Sequence, residues 1–265
     1  MTAWGVALWG ILVREGLRFV RQRERFVSAL LRPLLWLVVF AAGFRAALGV
    51  AIAPPYATYI TYDVYVLPGL IGMVQLFNGM QTSLSMVYDR ETGSMRTLLT
   101  SPLPRWWLLA CKLIAGTLVS VAQVYAFLLA AWAFGVRAPA WGYVAVLPAL
   151  LLSGLMLGAA GLFLSSAIRQ LENFAGVMNF VIFPAFFMSS ALFPLWKIAD
   201  SSPWLATLAG YNPFTYAIEL IRFALYLQVN PAALAWVAGS LAVFSALAIW
   251  GYDPARGLLR RRVME

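Results

Sequence analysis

Residues 88–105 read YDRETGSMRTLLTSPLPR, a charged segment set between two long apolar stretches. The flanking residues have the length and composition of membrane spans, since about 20 apolar residues cross a bilayer. The segment itself is polar and ends in two prolines, Pro102 and Pro104. We therefore expect a short water-facing element between two membrane-spanning helices.

The composition of the whole chain supports this interpretation. The 265 residues are 63% hydrophobic and only 11% charged, whereas a soluble domain carries about 25% charged residues. We predict six spans, all helical, because backbone polar groups in lipid must be satisfied within the segment. Their approximate bounds are residues 30–50, 64–87, 106–134, 143–167, 174–195 and 232–250. The fold class is thus an all-α polytopic membrane protein, with membrane domain 30–250 between an N-terminal segment 1–29 and a basic tail 251–265.

The basic residues predict the orientation of these spans. Of the 19 lysines and arginines, 15 fall on one side of the predicted topology, and Arg45, Arg137, Lys197 and Arg222 are the other four. By the positive-inside rule both termini and the charged segment are cytoplasmic. The net charge of +9 is therefore attributed to topology and lipid contact, and no nucleic-acid partner is expected. A single cysteine and no histidine exclude a disulfide framework and a His/Cys metal cluster.

The N-terminal segment predicts an amphipathic helix at the membrane surface. Arginines 14, 18, 21 and 25 recur at helical spacing along one face. The apolar residues Trp9, Val13, Leu17, Val20 and Val27 lie mostly on the opposite face. The helix could be a topology anchor alone, or it could also contact a cytoplasmic partner.

The residues of the charged segment predict a short helix. Asp89 can cap its start, with Glu91 near the positive end of the helix, and the prolines end it. Leu98 and Leu99 form an apolar ridge beside Arg96. Such a helix could fill a groove on another protein, and the alternative is an ordinary solvated loop.

Two motifs resemble the permeases of type-2 ABC exporters. Residues 89–99, DRETGSMRTLL, followed by Ser101-Pro102, Arg105 and Lys112, resemble the loop of that family between spans two and three. Residues 212–222, NPFTYAIELIR, resemble its Asn-Pro segment with a downstream arginine. The resemblance extends over nearly the whole chain, because the length, the spans and the order of both motifs agree.

The resemblance implies that this chain is a permease and that a separate protein hydrolyses ATP. The charged segment would be a coupling helix that docks on a separate ABC ATPase, and its docking residues would be Asp89, Arg90, Glu91, Gly93, Arg96, Leu98 and Leu99. ATP and Mg²⁺ would bind that ATPase, and this chain would bind no cofactor of its own. Two permease copies, a homodimer rather than a heterodimer, would export a hydrophobic or amphipathic substrate across a bacterial inner membrane. This chain has no Gly-x-x-x-x-Gly-Lys-Ser/Thr loop and so is not expected to be an enzyme.

Residues 196–231, within the membrane domain, are predicted to lie on its external side, and the resemblance suggests that they form a re-entrant hairpin there. The segment contains Asn212 and Pro213, and Glu219 and Arg222 are three residues apart and can pair on one helical face. The alternative is a surface helix, half-sunk in the outer leaflet, with an incidental ion pair.

Polar and small residues within the spans could line a substrate path or pack against neighbouring helices. Gln75, Asn78, Thr82 and Ser85 form one face of span two, and Asn179 in span five has the same ambiguity. Gly154, Gly158, Gly161 and Ser165 predict close helix packing in span four. Pro184 predicts a kink in span five.

The sequence disfavours two other function classes. A self-sufficient secondary transporter usually has intramembrane carboxylates or histidines, and the predicted spans contain none. A membrane-embedded enzyme would need a His/Asp/Glu constellation, which the sequence does not offer.

Overall fold

The computed structural model describes residues 3–21, 30–39, 54–56, 60–92, 103–168 and 171–252. Nearly all of this part of the chain is helical. The helices in chain order are α1 (Ala3–Arg21), α2 (Leu30–Val39), α3 (Tyr62–Glu91), α4 (Arg105–Ala133), α5 (Gly142–Ala145), α6 (Leu147–Ala167), α7 (Leu171–Phe187), α8 (Leu195–Ser201), α9 (Pro203–Tyr211), α10 (Pro213–Leu225) and α11 (Pro231–Gly251).

Among the described residues, three apolar segments are long enough to cross a membrane: α4, the continuous stretch Gly142–Ala167 formed by α5 and α6, and α11. They confirm the predicted third, fourth and sixth spans as apolar helices. Helix α3 has 30 residues and covers the predicted second span. Only residues 30–39 of the predicted first span are described, as the shorter apolar helix α2. The rest of that span lies outside the described residues.

The predicted end of the fifth span at residue 195 is wrong. Helix α7 ends at Phe187, and turns follow before α8 begins at Leu195. Within the turns the Ser189 hydroxyl donates to the Phe186 carbonyl, at 2.6 Å, and accepts from the Ala191 N–H, at 3.2 Å. These bonds satisfy backbone groups that a continuing helix would have used. Pro184, by contrast, lies inside α7 without ending it.

Small residues allow α3 and α6 to pack at close range at the centre of the bundle. A Cβ atom added to Gly79 would lie 3.0 Å from the Gly158 backbone nitrogen. A Cβ atom added to Gly161 would lie 2.8 Å from the Gly79 carbonyl oxygen. The predicted role of the small-residue face of span four in close packing is therefore confirmed.

The hydrophobic contacts define two ends of the bundle. At one end Met86, Leu109, Leu162, Ala248 and Tyr252 form a small cluster. It joins the end of α3, the start of α4 and the ends of α6 and α11, as expected for helices that cross in alternate directions. We call it the basic end, because Arg105 and Lys112 lie in the first turns of α4 there.

The segment between α7 and α11, predicted as a re-entrant hairpin, differs from the alternative of a single surface helix. It forms three helices, α8 to α10, of which α8 and α9 pack on each other. Helix α10 packs instead against α3, α6 and α11, and buries Phe214, Ile218, Ile221 and Leu225. Its apolar face requires that contact, so α10 belongs to the core of the bundle at the end opposite the basic end.

Candidate functional site

A buried ion pair lies where the charged segment leaves α3. The Lys112 Nζ atom is 2.7 Å from Asp89 Oδ2, and the two side chains are 4% and 6% exposed. Lys112 also donates to the Met86 Sδ atom, at 2.9 Å. Asp89 therefore binds the helix that follows the charged segment.

The expected capping role of Asp89 is wrong. Helix α3 continues through Asp89 to Glu91, so the residue lies in the last turns of a long helix and not at the start of a short one. A buried lysine on α4 supplies the counter-charge that a helix N-terminus would have supplied. Glu91 is exposed. The side chain of Arg90 lies outside the described residues, and so do residues 93–102, which include Gly93, Arg96, Leu98 and Leu99 and most of the predicted coupling helix.

Helix α1 joins this ion pair and packs against α4. Arg14 Nη2 lies 3.5 Å from Asp89 Oδ2 and 3.1 Å from Glu15 Oε1. Trp4 packs against Trp106 and Trp107, with ring centroids 5.6 and 5.2 Å apart. The predicted N-terminal helix is thus present over residues 3–21, whereas Arg25 and Val27 lie outside the described residues.

The apolar face of α1 is open. Trp9, Val13, Leu17 and Val20 are exposed in the structure, on the side predicted from the sequence. A face of this kind suits the membrane surface, since a helix there buries its apolar side in the lipid.

The polar residues of α3 divide into two groups. Gln75 is fully buried, donates to the Leu150 carbonyl oxygen at 2.7 Å and accepts from the Ser153 hydroxyl at 2.6 Å. These contacts bind α3 to α6, so the packing interpretation holds for Gln75. Asn78, Thr82 and Ser85 instead line a cavity between α1, α3 and α4.

This cavity has a volume of about 60 Å³. Sequence reasoning missed part of its lining: Glu15 and Arg18 from α1, Gln81 from α3 and Gln123 from α4. Gln123 is a polar residue inside an apolar span, and this feature of the sequence could have identified it as a residue that lines a cavity. Asn179 on α7 does not line this cavity and is exposed.

A second cavity of about 30 Å³ lies between α2 and α3. Arg32 and Pro33 form its α2 wall, and Asn78 and Gln81 are shared with the first cavity. The Arg32 guanidinium lies over the Phe77 ring, 4.1 Å from its centroid. The two cavities therefore meet at one turn of α3.

A second buried charge cluster lies at the opposite end. Arg222 is 3% exposed, pairs with Glu219 and donates to the Ser190 carbonyl oxygen at 2.8 Å. Its guanidinium also lies over the Tyr65 ring, 4.3 Å from the centroid. The pair expected from the spacing is present, and it holds α10 to α3 and to the turns after α7. Burial raises the pKa of the neighbouring Tyr56 phenol to about 12.

Asn212 and Pro213 begin α10. The Asn212 Oδ1 atom accepts from the Phe214 N–H at 3.0 Å, as a helix cap does. Its Nδ2 atom donates to the carbonyls of Ala185 and Met188, at 2.8 and 2.7 Å. The Asn-Pro motif therefore fixes the start of α10 against the end of α7.

Comparison with known proteins places these features in a family. The family model described as "ABC-2 type transporter" matches residues 6–226. The chain is 28% identical over 220 residues to the "Putative transport permease ycf38" of Cyanophora paradoxa, with 82% of this chain and 73% of that protein covered. It is 29% identical over 213 residues to the "Probable multidrug ABC transporter permease YbhR" of Escherichia coli K12, covering 79% of this chain and 55% of that protein. It is also 24% identical over 216 residues to "Nodulation protein J" of Rhizobium leguminosarum bv. trifolii, covering 77% and 76%.

Proposed function

Since the chain belongs to the ABC-2 type transporter family, we propose that it is the membrane subunit of an exporter driven by a separate ABC ATPase. The ATPase would bind residues 89–105 through side chains other than the buried Asp89, and would carry ATP and Mg²⁺. The chain would form the path for a hydrophobic or amphipathic substrate. The match to a transport-permease family supports the transport role, and one structural observation supports the coupling role.

That observation is the ion-pair network of Arg14, Asp89 and Lys112. It joins three helices, α1, α3 and α4, at the two points where the charged segment enters and leaves the bundle. A force applied to that segment would reach all three helices, because Asp89 and Lys112 are buried and bonded to each other. This arrangement suits a segment that receives motion from a partner.

The proposal also includes a second copy of the chain and an orientation in the membrane. We expect a second copy of the chain beside the first, since the cavities at Asn78 are small and Phe180, Phe183 and Trp236 are exposed. We also expect the basic end and both termini to face the cytoplasm of a bacterial inner membrane. The arginines of α1 and the first turns of α4 gather at one end of the bundle, as the positive-inside rule favours.

Co-purification tests the proposal. The tagged chain is expressed with an ABC ATPase encoded beside it, and the ATPase recovered per permease is measured. We expect a stable complex that Arg96→Glu weakens at least tenfold and that Arg137→Glu, a matched charge reversal at the opposite end, leaves intact. Equal recovery with both variants would contradict docking through residues 89–105. Uptake or efflux without any ATPase would favour the self-sufficient transporter.

A further inference from the structure

The two cavities at Asn78 and Gln81 are lined by polar groups that have no partner in the part of the chain that the structure describes. Asn78 is 7% exposed, and its Nδ2 donor has no partner among the described residues. Gln123 is 3% exposed, and its Oε1 acceptor is likewise without a described partner. A buried polar atom without a partner costs about 1–3 kcal/mol. Asn78 needs an acceptor and Gln123 needs a donor, so the occupant of the cavities is polar and offers an acceptor at Asn78.

The charge of the site favours an anion. Arg32 lines the α2 side, and no carboxylate of the described residues lies within ion-pair distance of it. On the α1 side, Arg18 is 3.6 Å from Glu15. The carboxylate is therefore already neutralised, whereas the Arg32 charge is stabilised only by the Phe77 ring among these residues. An oxyanion would accept from both Arg32 and Asn78.

The size and surroundings of the site favour a headgroup with an apolar tail. The first cavity, about 60 Å³, and the adjoining second cavity that Arg32 lines, about 30 Å³, each exceed the roughly 10–15 Å³ that one water molecule needs, so together they have room for a compact group such as a phosphate. Leu35 and Val39 follow Arg32 at helical spacing on α2, and both are exposed. An apolar chain could therefore lie along α2 with its head between α1, α2 and α3.

We propose that this site binds the phosphate headgroup of an anionic phospholipid from the leaflet at the basic end. Arg32 pairs with the phosphate, the Asn78 amide donates to it, and the acyl chains contact the exposed stripe of α2. The amphipathic helix α1 forms the wall at the level where headgroups lie. The site is thus a lipid site built into the membrane domain, independent of the coupling segment.

Native mass spectrometry of the purified chain tests this proposal without an ATPase, so its outcome does not depend on the proposed coupling. The chain is taken from vesicles of equal phosphatidylglycerol and phosphatidylcholine, and the retained lipids are counted. We expect preferential retention of phosphatidylglycerol. Arg32→Gln and Asn78→Leu should each weaken retention about tenfold, since a hydrogen bond to a charged group contributes on this order. Arg32→Lys should keep part of the affinity.

Arg137→Gln is the matched control, because Arg137 also lies over an aromatic ring, that of Trp132, and is remote from the site in the chain. It should leave retention unchanged. Equal loss in Arg32→Gln and Arg137→Gln would overturn the proposal, because it would indicate general surface attraction. Displacement of the lipid by inorganic phosphate alone would also overturn it in favour of a free-phosphate site. Thermal melting of each variant identifies any that fails to fold, and Asn78→Leu then stands as the independent test.

Discussion

Removal of one partner from the buried Asp89–Lys112 pair should destabilise the bundle, and the loss should be larger when the aspartate is removed than when the lysine is removed. At the 2.7 Å separation and an effective dielectric constant of about 20, the attraction is about 6 kcal/mol, much of which offsets the desolvation of both ions. Asp89→Asn leaves Lys112 buried without a carboxylate and keeps Arg14 nearby. Breaking a buried pair in this way costs about 3–5 kcal/mol.

The reverse variant should cost less. Lys112→Met leaves Asp89 with Arg14 at 3.5 Å, a partner that solvent partly screens. We expect a loss of about 1.5–3 kcal/mol, the contribution of a hydrogen bond to a charged group. The double variant Asp89→Asn, Lys112→Met removes both buried charges and should be more stable than Asp89→Asn alone, because no unpaired lysine remains.

Unfolding in mixed micelles, followed by tryptophan fluorescence, measures these free energies. Arg137→Met is the control for loss of an exposed cation and should change stability by less than about 0.5 kcal/mol. The reasoning is refuted if Lys112→Met costs more than Asp89→Asn. It is equally refuted if the two losses add in the double variant, since additivity would mean that the two side chains do not interact.

Three further variants test the other contacts by the same unfolding measurement. Gly161→Ala should lose about 1–3 kcal/mol, because its Cβ would lie 2.8 Å from a backbone carbonyl of α3, while Gly239→Ala, with open space around it, should not. Arg222→Lys should lose about 2 kcal/mol of stability, because an ammonium group cannot bind Glu219 and the Ser190 carbonyl and also stack on the Tyr65 ring as the planar guanidinium does. A variant as stable as the wild type would contradict this. Gln75→Leu should lose about 1–3 kcal/mol and Asn78→Leu almost nothing, because Gln75 has hydrogen-bond partners on α6 whereas the Asn78 Nδ2 atom has none among the described residues, and equal losses would contradict the division of the α3 stripe.

The sequence predicts the membrane-spanning helices best where the apolar stretch is continuous. Helices α4, α6 and α11 are uninterrupted apolar stretches with clear ends, so composition alone locates them. The close contact of α3 with α6 was also predictable, because glycines at helical spacing leave room for another helix.

The partners of polar residues were not predictable in the same way. Capping rules are local and gave Asp89 a role at a helix start, whereas its partner Lys112 lies 23 residues away on another helix. Gln75 and Asn78 share one face of α3, yet one meets α6 and the other a cavity, and no spacing rule distinguishes them. The polar residues of α10 suggested a surface, although Arg222 is buried by neighbours from α3 and the turns after α7.

The most direct test of the proposed exporter function is ATP hydrolysis in lipid vesicles by an ABC ATPase that co-purifies with the chain, measured with and without this chain. We predict that the wild-type chain changes the hydrolysis rate and that Arg96→Glu abolishes the change, while Arg137→Glu preserves it. An ATPase whose rate is the same with the chain, without it and with either variant would contradict the account.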